Sequence, residues 1–68
     1  MVYEYGVEFT QYDEYDGREI SKRTTVYFRF IPEASDILDR LFDKGYEVCQ
    51  LLDYVMLREI QDWQKGAN

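Results

Sequence analysis

The sequence has no histidine, a single cysteine, a single proline and only four glycines. Without histidine, a general base near neutral pH would have to be a retuned carboxylate or lysine. With Cys49 alone, no intrachain disulfide can form, and a lone thiol does not make a zinc site. The hydroxyl candidates Ser21 and Ser35 have no base at a spacing that suggests pairing. Gly6, Gly17, Gly45 and Gly66 are scattered singly, so no phosphate-cradling loop is spelled out. No apolar run approaches the roughly 20 residues of a membrane span. The start, Met1 to Tyr5, lacks the basic-then-apolar pattern of a secretory leader. A single unpaired thiol fits a reducing, cytoplasmic setting. These absences argue against an enzyme, and no metal or cofactor is expected.

What is present is acid and aromatic. Asp and Glu total 14 against 8 Lys and Arg, a net charge of −6. That balance disfavours direct contact with nucleic acid or an anionic membrane and points to a basic partner surface. Seven Tyr, four Phe and one Trp supply large buried areas to a chain of 68 residues. Such a chain forms a single domain, residues 1–68, and buries only about 60% of its unfolded surface. Dense aromatic packing and self-association are the compensations open to it.

Along residues 3 to 9 the odd positions are apolar: Tyr3, Tyr5, Val7, Phe9. Along 20 to 31 the apolar set, Ile20, Val26, Phe28 and Phe30, is even. Both have the period of a strand. Asp16-Gly17 between them suits a tight two-residue turn. With those two as the loop, Val7 faces Val26, Tyr5 faces Phe28 and Tyr3 faces Phe30. On the opposite face Glu4 meets Arg29 and Gly6 meets Tyr27. The hairpin is expected over about 2–31. After Pro32, the spacing of Ala34, Ile37, Leu38, Leu41 and Phe42 predicts an amphipathic helix over 33–44, stopped at Gly45. A second helix over 46–64 carries Val48, Cys49, Leu51, Leu52, Val55, Met56, Ile60 and Trp63. The expected class is therefore α+β: a long antiparallel β-hairpin packed against two C-terminal helices (ββαα). The alternative is ββαβα, with a short third strand near 46–51 and a shorter helix behind it. In either case Cys49 is expected on an apolar side, as a small buried hydrophobe.

Two acidic features stand out. The hairpin tip carries Asp13, Glu14, Asp16 and Glu19 with Tyr12 and Tyr15 interleaved. Its spacing lacks the alternating ladder of a calcium loop. The first helix carries Asp36, Asp39 and Asp43 in one row about a turn or less apart, a spacing comparable to that of nucleic-acid phosphates. Both are ordinarily solvated surface. The sharper reading makes these nine residues a partner-binding surface for a larger protein with a basic surface, such as a nucleic-acid-binding one, which the chain would regulate or inhibit. A different reading is a structural or assembly subunit. It rests on apolar positions left outside the core, Val2, Tyr27, Ile31, Tyr54 and Leu57, and favours a homodimer over a monomer.

Overall fold

The computed structural model describes residues 1–61. Its elements are β1 (Val2–Asp13), β2 (Arg18–Phe28), α1 (Ala34–Asp43) and β3 (Gln50–Ile60). The strands form one antiparallel sheet in the order β2-β1-β3. The class is α+β, with one helix among the described residues. Because β2 and β3 both run antiparallel to β1, they run the same way as each other. The chain must therefore travel back between them, and α1 makes that return across one face of the sheet.

The hairpin forms with the faces expected and a different register. Tyr3 lies opposite Phe28, Tyr5 opposite Val26, Val7 opposite Thr24 and Phe9 opposite Lys22. The loop holds four residues, Glu14 to Gly17, and not the Asp16-Gly17 pair alone. The Asp13 side chain accepts from the Tyr15 amide at 2.9 Å, and its carbonyl accepts from the Gly17 amide at 2.7 Å. Only Gly17 takes positive φ, at 68°, whereas a two-residue turn of the favoured kind needs it at both positions. The register therefore slips by two. A slip of two leaves every side chain on its face, because strand periodicity is two. Glu4 consequently sits beside Tyr27 and not Arg29.

The second helix does not form over the described part of 46–64; its end, with Trp63, lies outside the described residues. The strand near 46–51 with a helix behind it does not form either. Instead β3 runs from Gln50 to Ile60 along the free side of β1. Leu51, Tyr54, Met56 and Glu59 face the same side as Phe9, Val7, Tyr5 and Tyr3. Two register shifts, opposite Glu4/Tyr5 and Glu8/Phe9, leave Leu57 and Leu52 as bulge residues. The facing positions therefore step by three, two and three, which hides the strand period.

Helix α1 is closed at both ends by its own sequence. At its start the Glu33 amide donates to the Asp36 carboxylate at 2.9 Å. At its end Gly45 takes φ 93°, its amide donates to the Phe42 carbonyl, and the Tyr46 amide donates to the Leu41 carbonyl. That pair of bonds is the glycine-dependent Schellman ending. The core joins the inner sheet face to one line of the helix: Tyr5, Val7, Phe9, Val26, Phe28, Ile37 and Leu41. Tyr46 and Tyr54 close its flanks, Tyr46 with its ring 5.1 Å from that of Phe9. The expected apolar stripe is only half used. Ile37 and Leu41 are fully buried, while Leu38 and Phe42 are 40% and 78% exposed. Among the described residues no second helix covers them. No helix among them is long and apolar enough to cross a membrane.

Candidate functional site

The exposed half of α1 is one wall of a groove. Opposite it runs the irregular segment 46–49, tied to β1 where the Cys49 amide donates to the Thr10 carbonyl at 2.8 Å. The Gln50 amide donates to the Thr10 hydroxyl at 3.1 Å. The groove has a volume of about 580 Å³ and is lined by Tyr12, Leu38, Asp39, Phe42, Tyr46, Glu47, Val48 and Cys49. Its apolar surface comes from Leu38, Phe42 and Tyr12, and Asp39 and Glu47 give it charge. No cation lines it.

The helix bases explain that one-sided charge. Arg40 and Lys44 interrupt the acidic row in the sequence. In the fold both reach across to β2. The Arg40 guanidinium lies 4.3 Å from the centre of the Phe28 ring and donates to the Tyr27 carbonyl. Lys44 reaches the Thr25 carbonyl at 3.4 Å. With the bases drawn to one flank of α1, Asp39 keeps its charge unopposed on the other.

The nine expected partner-binding residues divide among five places. Tyr12 and Asp39 meet in the groove. Asp43 is exposed on the last turn of α1. Asp13, Glu14, Tyr15 and Asp16 form the tip, where Asp13 holds the turn, Asp16 pairs with Arg18 at 3.5 Å and Tyr15 is fully exposed. Asp36 is spent on the helix start, half-buried, so it does not extend the acidic row. Glu19 accepts from the Thr10 hydroxyl at 2.7 Å. The sequence pattern places Leu38 and Phe42 in the core stripe and Tyr46 in a second helix, so it gives no sign of them as groove walls. Cys49 is exposed, contrary to expectation, because its segment is neither helix nor inner strand.

The sheet face away from α1 has its own polar network. Glu4 accepts from Arg58 Nε at 2.9 Å and from the Tyr27 hydroxyl at 3.0 Å, which ties all three strands together. The Arg58 hydrogen bonds, set against partial desolvation, hold the Glu4 carboxyl below its ordinary value of 4.5. The hydrogen bond to Glu4 pushes the Tyr27 hydroxyl above its ordinary value of 10.0, since ionisation would set it against that carboxylate. Glu8 pairs with Arg23 at 3.6 Å and accepts from Ser21 at 3.1 Å. Of the residues expected to drive self-association, Tyr27 and Leu57 are exposed on this face. Ile31 is exposed in the link to α1. Val2 is not available, being only 5% exposed. Tyr54 turns inward, its ring 6.3 Å from that of Tyr5. Comparison with family models, with curated proteins and with solved structures found no match.

Proposed function

We propose that this is a non-catalytic binding protein, a regulator or inhibitor that takes a basic segment of a larger protein into the groove beside α1. The observation that carries the reading is the division of charge across the helix: Arg40 and Lys44 are held against β2, and Asp39 and Glu47 line the opposite flank with exposed Phe42, Leu38 and Tyr12. An apolar floor with an acidic wall suits a Lys- or Arg-bearing segment whose aliphatic or aromatic side chains lie on Phe42. The withdrawal of Asp36 into the helix start shortens the carboxylate row. That favours recognition by the groove as a whole over imitation of phosphate spacing.

The test is capture of partners from cell extract at low and high salt, with wild type and with Asp39→Asn/Glu47→Gln. The proposal expects a partner whose retention falls with salt and with the double substitution, because exposed charge pairs are screened. Equal capture by both proteins at both salt levels would refute it.

A further inference from the structure

No helix or strand among the described residues packs on the sheet face away from α1, although Val2 at one end of it is buried. Its side chains beyond Val2 are arranged in three rows set by the strand register. The first row is Tyr27, Glu4, Arg58; the second is Thr25, Gly6, Val55; the third is Arg23, Glu8, Asp53. The middle row is the apolar one. Val55 is 49% exposed, and Leu57, from the neighbouring bulge, is 54% exposed and lies against Gly6. Beside them opens a hollow of about 420 Å³, lined by Gly6, Val7, Thr24, Thr25 and Val55 and edged by Glu8, Arg23 and Asp53. Glycine at position 6 is what makes the hollow, since it carries no side chain.

We infer that this face is the interface for a second copy of the chain, packed face to face about a two-fold axis lying along the middle row. Such an axis reverses the strand direction and sets the first row of one copy over the third row of the other. Arg58 then meets the second copy's Asp53, and Tyr27 meets its Arg23, an ion pair and a cation–π contact, each made twice. The Asp53 carboxylate forms no hydrogen bond or ion pair among the described residues, whereas Arg58 and Arg23 each have guanidinium donors left over from Glu4 and Glu8. Glu4 falls over Glu8, but each already accepts from an arginine of its own copy. Val55, Leu57 and Thr25 of both copies gather at the axis, with the hollow over Gly6 receiving a partner side chain. An apolar centre with a charged rim is the anatomy of a specific interface.

The competing route to self-association is edge pairing. Pairing of strand edges is obstructed on both flanks. Arg40 and Lys44 occupy carbonyls of β2, and the bulges at Leu52 and Leu57 break the regular ladder of β3.

Sedimentation velocity over a dilution series from millimolar to micromolar tests the inference, with far-UV circular dichroism confirming that each variant is folded. Wild type is expected to show a monomer–dimer equilibrium. Val55→Asp, placed at the axis, is expected to weaken it at least about tenfold. Asp53→Arg, which sets like charge against Arg58 of the second copy, should weaken it as well. Both side chains are exposed in the single chain, so the fold should survive. A wild type that stays monomeric throughout, or a dimer indifferent to both substitutions, would overturn the inference. Neither outcome touches the groove proposal, whose residues lie elsewhere.

Discussion

Glu4 is the residue on which the most geometry converges, since its carboxylate joins Tyr27 of β2 to Arg58 of β3. Its lowered pKa means that the folded state gains stability above pH 4.5, and loses that gain as pH falls through the lower folded value. Tyr27 works at the other extreme. Its raised pKa gives a contribution present below pH 10.0 and lost as pH climbs through the folded value. Between those limits this network should be constant. Urea midpoints measured across pH should therefore show the gap between wild type and Glu4→Gln steady near neutrality and closing in acid. Gly17 offers a second test. Its φ of 68° is a left-handed conformation that an L-residue with a Cβ adopts only with strain, so Gly17→Ala should destabilise by about 1 kcal/mol in denaturant melts. The positive φ was legible in the sequence, whereas the loop length was not. Asp16-Gly17 advertises a two-residue turn, and the competing Asp13 side-chain bond to Tyr15 enlarges it.

At the scale of the element, α1 was readable from end to end because its signals are local: Pro32 before the start, the apolar spacing from Ala34 to Phe42, and Lys44 and Gly45 at the stop. Which of its apolar rows would be buried was not readable, because that depends on what lies opposite. Ile37→Ala or Leu41→Ala should cost about 2–5 kcal/mol, as expected for emptying a core position. Phe42→Ala, at a mostly exposed position, should change stability by less than about 0.5 kcal/mol while weakening partner capture. That split between stability and binding distinguishes a groove wall from a core residue, and chemical denaturation beside the capture assay measures it. The apolar spacing over β3 suggests a helix for a reason visible in the strand's register. Inward positions 51, 54, 56 and 59 fit neither a period of two nor a clean period of 3.6. The groove was hidden by the same misreading. Residues 46–49, expected on a helix, instead form the irregular segment that makes the groove's other wall.

For the whole molecule, seven buried core residues are a small store of hydrophobic stabilisation, roughly 1.5–3 kcal/mol for each side chain before chain entropy is subtracted. If two copies share the uncovered face, mass action adds to that store, and the thermal midpoint should climb with protein concentration. Scanning calorimetry over a wide concentration range reads this directly, and a midpoint independent of concentration would argue for a self-sufficient monomer. Acidity was legible from composition, but its distribution was not. Glu4, Glu8 and Glu19 are hydrogen-bonded on the bare face, and Asp39 and Glu47 are left to the groove. The two bulges of β3 carry one further consequence, for the length of the chain. Residues 56 and 58 already point to opposite faces, as do 51 and 53, so Leu57 and Leu52 are surplus to the alternation. Loss of the single codon for Leu52 or Leu57 would straighten the strand and leave its neighbours facing as before. Loss of the codon for Val55 would turn one end of β3 inside out.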